Sequence, residues 1–281
     1  MNLASATQVK ALLAKYGVRP KKRLGQNFLV DRNVLTRILD AADLTAESNV
    51  LEIGPGLGIV TVEAAARAGR VVCVELDRSL EPILKEALSG CDNVEVIIQD
   101  FLKLDLAGLL EGSGRWTVVA NLPYYITTPI ITKLIGSKRY FDAMLLMVQR
   151  EVAARLRAEA NNDVYGAISV FVQYHCEIES IMTVSRNVFY PVPEVDSELI
   201  MLRVRSSPPV AVSDESLLFS IVRAAFGKRR KTLLNALSSS EELKWDKHEA
   251  QVVLGAAGID AGRRAETLSL AEFAALANAA I

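Results

Sequence analysis

Short apolar runs rich in β-branched residues alternate along this chain with stretches whose apolar positions recur every three or four residues. The first run, Val50, Leu51 and Ile53, reads as a buried strand and ends in a cluster of Gly54, Gly56 and Gly58. Behind the glycines, residues 60–68 have helix-forming composition and are closed by Gly69. Runs at 71–76, 94–99, 116–120 and 143–148 predict further strands, with helices expected over 31–42, 80–88, 129–135 and 149–159. In the first of these helices Val34, Leu35, Ile38 and Leu39 share one face. Residues 165–174 read as an apolar helix, and 178–184 and 199–204 as closing strands around a proline-stiffened loop at 187–197. Strand and helix in alternation demand an α/β fold with a mostly parallel, doubly wound sheet.

The text changes after Ser-Ser-Pro-Pro at 206–209, a linker candidate. Helices are expected over 215–225, 229–237 and 248–256, and a capping box, Ser269 with Glu272, announces a last one. The chain thus divides into a large domain over 1–205, opening on a basic N-terminal arm, and a small helical domain over 206–281. A length of 281 residues supplies ample core for this arrangement.

Composition, 51% hydrophobic and 23% charged, is that of a globular protein. The longest apolar runs are far too short to cross a bilayer. The N-terminus places Val9, Leu12 and Leu13 in an amphipathic pattern beside Lys10 and Lys15. It has no long apolar core, so neither a secretory signal nor a transit peptide is expected. Cys73, Cys91 and Cys176 show no CxxC spacing, which points to reduced thiols and a cytoplasmic protein. His175 and His248 have no ligand companions, and no metal is expected. A net charge of −1 does not announce a nucleic-acid partner, but its distribution says more. Lys10, Lys15, Arg19, Lys21, Lys22 and Arg23 crowd residues 1–30, which contain no acid, and Lys228, Arg229, Arg230 and Lys231 form a second block. Each cluster alone fits a solvated face; two of them in a chain with a nucleoside site favour phosphate contacts.

That nucleoside site rests on two features. A strand, a glycine turn and a helix N-terminus let a ligand lie against bare backbone, although the glycines alone fit an ordinary βα turn as well. The dinucleotide fingerprint would need a glycine where Ile59 stands, and no Gly-Lys-Ser/Thr follows for a phosphate loop. The second feature is Glu75, at the end of the next strand, where a carboxylate can accept hydrogen bonds from both ribose hydroxyls. A nucleoside without a pyrophosphate points to S-adenosylmethionine. Asp100, ending the third strand, could take an adenine amine or serve equally as a helix N-cap.

Acceptor chemistry is suggested by Asn-Leu-Pro-Tyr at 121–124, which follows the fourth strand directly. The exocyclic amine of a base is a poor nucleophile because its lone pair is delocalised into the ring. An Asn oxygen and a main-chain carbonyl can accept both N–H bonds and turn the lone pair toward a sulfonium methyl. Pro123 stiffens the turn and Tyr124 offers a stacking face. Catalysis is then mostly positioning in a fixed polar surround. An Asn-Pro turn with core tyrosines is the plainer alternative. Methylation at a pyrimidine carbon would want a nucleophilic Cys in an active loop, and a Ser-His-Asp hydrolase lacks its Gly-x-Ser-x-Gly elbow.

Taken together, Lys-Arg-Leu-Gly-Gln-Asn-Phe-Leu at 22–29, Glu-Ile-Gly-Pro-Gly-Leu-Gly at 52–58, Asn-Leu-Pro-Tyr-Tyr at 121–125, Asn-Val-Phe-Tyr-Pro-Val-Pro-Glu-Val-Asp-Ser at 187–197 and Phe-Gly-Lys-Arg-Arg-Lys-Thr-Leu at 226–233 occur in one order. The chain resembles the small-subunit ribosomal RNA adenine dimethyltransferases of the kasugamycin-sensitivity family, from about Lys15 to its C-terminus. The resemblance implies a Rossmann-like class I methyltransferase domain with a small all-helical C-terminal domain. It implies S-adenosylmethionine as donor and two adjacent adenosines near the 3′ end of 16S rRNA as targets, each dimethylated on N6 during small-subunit biogenesis. By the same resemblance Gln26, Asn27 and Leu29 border the methionine end of the cofactor over Gly54 and Gly56. Glu75 with Leu76 holds the ribose, Asp100 with Phe101 the adenine, and Asn121 closes the pocket. Asn121, Leu122, Pro123 and Tyr124 grip the target base, and Phe189 stacks on its other face. Lys21, Lys22 and Arg23 and the block from Lys228 to Lys231 meet RNA phosphates. The protein is expected to act as a monomer on the immature small subunit, away from membranes.

The nearest alternative is the large-subunit adenine methyltransferase of the macrolide-resistance type, set second because Leu122 stands where that group has Ile. A DNA adenine methyltransferase would want a separate target-recognition domain. A non-catalytic assembly factor on the same fold would not need Glu75, Asp100, Asn121 and Tyr124 together.

Overall fold

The computed structural model describes residues 4–228 and 230–281. Among the described residues the strands are β1 (Phe28–Leu29), β2 (Asn49–Ile53), β3 (Arg70–Glu75), β4 (Val94–Ile98), β5 (Trp116–Asn121), β6 (Phe141–Gln149), β7 (Cys176–Val184), β8 (Phe189–Tyr190) and β9 (Ser197–Val204). Seven of them form one sheet in the order β4-β3-β2-β5-β6-β9-β7, while β1 and β8 pair apart as a short antiparallel ladder. β4 to β6 of that order run parallel and β9 turns antiparallel to β6. The central strands are buried on both faces, with Val50, Leu51, Val71, Val72 and Val118 all closed to solvent. That is why they read as continuous apolar runs rather than alternating ones.

The topology places the site. β2 lies between β3, its successor in the chain, and β5, so the winding reverses between β2 and β5. Ile53 is in register with Val74 on one side and Ala120 on the other. Gly54, Glu75 and Asn121 therefore leave three neighbouring strand ends at the switch point, where open α/β sheets bind ligands.

Helices accompany the sheet at α1 (Ala6–Lys15), α2 (Arg32–Ala42), α3 (Ile59–Ala65), α4 (Glu81–Ala87), α5 (Leu106–Leu110) and α6 (Thr127–Gly136), and α7 (Arg150–Arg157) follows β6 in the chain. Asp31 caps α2 by accepting from the Val34 N–H at 2.9 Å. α3 stops at Ala65, short of the expected 68, because the Asn93 side chain donates to the Ala65 and Ala68 carbonyls at 3.0 and 2.8 Å. The apolar face of α1, Val9, Leu12 and Leu13, packs on Phe28, Leu57, Leu80 and Ile83. Each such side chain removed from water contributes roughly 1.5–3 kcal/mol.

Two compact units partition the chain: Met1–Ala153 with Ile178–Val204, and Ala154–Glu177 with Arg205–Ile281. The single boundary expected after residue 205 is thus corrected, since Ala154–Glu177 joins the second unit. Tyr165, Val170 and Tyr174 share a core with Leu218, Ile221 and Phe273, a partnership that no local pattern reveals. This unit holds α8 (Ala167–His175), α9 (Glu215–Gly227), α10 (Leu233–Leu237), α11 (Lys247–Ala256) and α12 (Leu270–Asn278). Ser269 and Glu272 form the expected capping box on α12. α10 begins only at Leu233, four residues later than expected, and Arg229 lies outside the described residues.

Candidate active site

The turn after β2 is built for glycine. Gly54, Gly56 and Gly58 take φ values of 70°, 58° and 85°, where a Cβ is strained. At Gly56 a Cβ would also stand 3.0 and 3.2 Å from the Phe28 ring. This turn floors a cleft of about 700 Å³, counting the space open to solvent, lined by Gln26, Glu75, Leu76, Asp100, Phe101 and Asn121 among others. A second hollow of about 590 Å³ lies behind it and reaches Leu29 and Glu52. Asn27, Gly54, Gly56 and Asn121 line both, so they stand at the neck between the two.

Glu75 is 6% exposed at the end of β3. Its Oε1 accepts the Asp77 N–H at 2.7 Å and its Oε2 the Gly56 N–H at 3.2 Å. Burial pushes its carboxyl up to about 7 against the pull of those two N–H donors. A carboxylate oxygen has more than one lone pair, so each can take a further donor. Asp100 caps the following turn, its Oδ1 accepting the Leu102 N–H at 2.9 Å, and the residue lines the cleft. Phe101 is buried at the cleft wall under the Lys133 ammonium, whose Nζ sits 5.5 Å from the ring centroid.

Asn121 ends β5, and its Nδ2 donates to the Asn27 carbonyl at 3.2 Å. A carbonyl can only accept, so this contact fixes the amide's orientation and presents Oδ1 as the acceptor. Asn27 itself is held by its Nδ2 donating to the Gly25 carbonyl at 3.0 Å. Leu122 buries its side chain at 1% exposure and anchors its N–H on the Met147 carbonyl at 3.0 Å. Pro123 lines the cleft, and its carbonyl accepts from Thr127 Oγ1 at 3.0 Å, stiffening the entry to α6.

Three expectations are revised. Tyr124 is half-buried, hydrogen-bonded to Ser197 Oγ at 2.7 Å, and outside the lining of both hollows; its neighbour Tyr125, 52% exposed, lines the cleft instead. Phe189 is 2% exposed, paired with Leu29 across the β1–β8 ladder and packed in the core with Leu35, Val184 and Leu199. Its ring has almost no open face on which to stack a base, because the two-residue ladder turns Phe189 inward and Tyr190 outward. Lys21 points its ammonium at Asp77 Oδ1, 2.5 Å away, rather than outward. Lys22 and Arg23 are exposed, as are Lys228, Arg230 and Lys231 in the second unit.

Two residues of the site were not singled out from sequence. Asp77, 4% exposed, sits two positions past Glu75 and donates its N–H to it. Glu52, also 4% exposed, accepts from Thr61 Oγ1 at 2.6 Å. A charge inside the apolar run of β2 was the available signal for the second.

Residues 17–276 match the family described as ribosomal RNA adenine dimethylase. The ribosomal RNA small subunit methyltransferase A of Geobacillus thermodenitrificans is 49% identical over 284 residues, covering 99% of this chain and 97% of that protein. Its counterpart from Pelotomaculum thermopropionicum is 47% identical, covering 98% and 96%. Among solved structures, a dimethyladenosine transferase from Plasmodium falciparum matches with TM-score 0.72 at 25% identity, over 88% of this chain and 95% of that one. The 23S rRNA methyltransferase ErmE matches with TM-score 0.66 at 28% identity, over 90% and 99%. A switch-point cleft with a glycine floor and an oriented Asn at its neck, in a chain matched almost end to end, belongs to the ribosomal RNA adenine dimethylase family.

Proposed function

We propose that this enzyme transfers methyl groups from S-adenosylmethionine to N6 of two adjacent adenosines near the 3′ end of 16S rRNA, dimethylating each during small-subunit assembly. The observation that carries the reading is Asn121. Its NH2 is tied to the Asn27 carbonyl, so its oxygen is the one free to receive an N–H at the neck of the cleft. The cleft fits the donor: Glu75 offers lone pairs on two buried oxygens, and the glycine floor leaves no side chain in the way. When bound there, S-adenosylmethionine supplies a methyl activated by its sulfonium.

The chain's own residues do the rest. Glu75 would hold the ribose hydroxyls of that donor, and Asp100 its adenine amine. Gln26, Asn27 and Leu29 border the methionine end. Asn121 Oδ1 and a main-chain carbonyl of the 121–124 turn would accept the two hydrogens of the target amine in the first transfer, and the one remaining hydrogen in the second, turning its lone pair toward the methyl. No strong base is required, since the methylated ammonium readily gives up its proton to water. Tyr125, not Tyr124, presents the aromatic face within the cleft. Lys22, Arg23, Lys228, Arg230 and Lys231 supply positive charge for phosphates. The small helical unit is the RNA-binding appendage, and the protein acts as a monomer.

The test is substrate choice. The protein is incubated with labelled S-adenosylmethionine and, separately, immature small subunits, large subunits and DNA, and the modified base is identified after digestion. Label in N6,N6-dimethyladenosine from small-subunit RNA supports the proposal. Label from large subunits alone moves the enzyme to the ErmE-like activity, whose fold it shares at TM-score 0.66.

A further inference from the structure

One carboxylate near the cleft touches neither the expected cofactor nor the acceptor, yet gathers more donors than any group in the site. Asp77 Oδ1 receives the Lys21 ammonium at 2.5 Å, the Ser79 N–H at 3.0 Å and the Ser79 hydroxyl at 2.7 Å. Oδ2 receives Gln26 Nε2 at 2.8 Å. Gln26 in turn uses its oxygen to accept the Lys21 N–H at 2.7 Å. Its orientation is therefore fixed from both ends, with the amine toward Asp77 and the oxygen toward the main chain. The Asp77 N–H completes the set by donating to Glu75 Oε1 at 2.7 Å.

These bonds join three separate segments. The strand-end acid Glu75 is held at one oxygen by Asp77 and at the other by Gly56 in the glycine turn. The loop from Lys21 to Asn27 is held by Asp77 through Lys21 and Gln26. That same loop supplies the Asn27 carbonyl that orients Asn121. Apart from this set and the bond from Lys21 Nζ to Ser79 Oγ at 3.1 Å, the loop's hydrogen bonds are local, such as Leu24 N–H to the Lys21 carbonyl at 2.9 Å and Asn27 to Gly25.

We propose that Asp77 is a positioning residue for methyl transfer: its carboxylate bolts the Lys21–Asn27 loop to the end of β3, and so sets both the ribose acid and the acceptor-gripping Asn121. The role rests on reading the cleft as the S-adenosylmethionine site. It predicts coupled losses from a residue that contacts neither ligand. Releasing the loop lets Gln26 and Asn27 drift from the cofactor, and lets the Asn121 amide rotate away from the target amine.

The pattern of donors and acceptors gives the test its specificity. In Asp77→Asn the oxygen stays with Lys21 and Ser79, which can only be served by an acceptor. The introduced NH2 then faces Gln26 Nε2, donor against donor. In Gln26→Glu alone, two carboxylates meet. Combined, the two changes restore a donor opposite an acceptor, because the introduced carboxylate accepts from both the new amide and the Lys21 N–H. Cofactor affinity is measured by titration calorimetry on the full chain, and turnover on immature small subunits at saturating cofactor, with thermal melts to confirm folding. Each single variant should raise the cofactor Kd by about tenfold or more and lower kcat, as loss of a charge-assisted bond allows. The combined variant should bind the cofactor more tightly than either single variant, a reversal that mere loss of stability does not produce. Should Asp77→Asn fail to fold, Lys21→Met removes the ion pair together with the 3.1 Å bond from Lys21 to Ser79 Oγ and should raise Kd by about threefold to fivefold. Single variants with the parental Kd, or a combined variant no better than the worse single, overturn the role of Asp77. Failure of the unaltered protein to bind S-adenosylmethionine overturns the cofactor reading instead.

Discussion

Glu75 and Asp77 stand two residues apart, and exposure is 6% at one and 4% at the other. Burial acts on both in the same direction, raising the carboxyl. Glu75 yields to it and sits at about 7, whereas the Lys21 ammonium with Ser79 and Gln26 more than offsets it at Asp77 and holds that group at about 2. The difference lies in donors. Asp77 receives an ammonium, an amide, a hydroxyl and a main-chain N–H; Glu75 receives one main-chain N–H on each oxygen. A fully served carboxylate is a strut. An underserved one in a cleft is strained toward a ligand that brings donors, and two ribose hydroxyls are such a ligand.

The largest effect comes from a residue outside the pair. Asn121→Ala leaves both carboxylates as they are, so cofactor affinity should stay within about twofold while kcat falls roughly 10²–10³-fold, the usual cost of removing a preorganised polar contact to the reacting group. Equal losses in calorimetric affinity and turnover would place Asn121 with the cofactor and blur the division. Next is Glu75→Gln, which keeps the shape and removes the charge. The cofactor Kd should rise about tenfold to a hundredfold, as loss of charge-assisted bonds to two hydroxyls implies. At pH 8 the same change should lower the melting temperature less than Asp77→Asn does, since it removes a carboxylate that folding desolvates even as it turns an NH2 toward one main-chain N–H. Matching melts for the two variants would end the contrast.

Much of this site was legible in the chain before its fold was known, for reasons that differ by residue. Glu75 and Asp100 could be placed because a strand end is a local event: Glu75 is the first acid its apolar run meets, and Asp100 stands where the run over 94–98 gives way to Gln99 and a turn. Asn121 could be placed because it follows the apolar run at 116–120 without a gap and ends β5. Phe189 could not, because whether an aromatic faces a cleft or a core depends on a ladder with Leu29, some 160 residues earlier in the chain. Tyr124 and Tyr125 are indistinguishable in sequence, and a hydroxyl on distant Ser197 decides between them. Lys21 looked like a free cation for the same reason: its partner Asp77 is local to another strand. The domain boundary failed at Ala154–Glu177 because a helix's composition says that it is buried, not by what.

A smaller effect follows from pH. If Glu75 accepts both hydroxyls as a carboxylate, binding favours its ionised form, and a proton must leave before the cofactor sits fully. With its carboxyl at about 7, affinity should be flat above that value and weaken as pH falls below it, by at most about tenfold per unit. Asp77, at about 2, stays charged throughout and contributes no slope. Glu75→Gln should remove the dependence while keeping its raised Kd. An unchanged slope in that variant would assign the titration elsewhere.

The smallest effect tests whether the rule of donors extends to Glu52. This residue is as buried as Asp77 but, among the described residues, accepts a side-chain hydrogen bond from Thr61 Oγ1 alone, at 2.6 Å. Burial pushes it up to about 7, with Glu75 adding to the shift and the Thr61 hydroxyl opposing it. Because the folded value is raised above the ordinary 4.5, the stability linked to this group is fully present below pH 4.5 and is lost as pH rises through about 7. Glu52→Gln cannot ionise and does not carry that loss. It should therefore melt at or slightly below the parent at pH 5 and gain on the order of 1 kcal/mol over it at pH 8, read from chemical denaturation at the two pH values. A gain at pH 8 shows that Glu52, like Glu75, is a carboxylate the fold leaves underserved. A loss of the same size at both pH values would mean that its second oxygen is as firmly bonded as those of Asp77, and that donor count separates only one acid of the three.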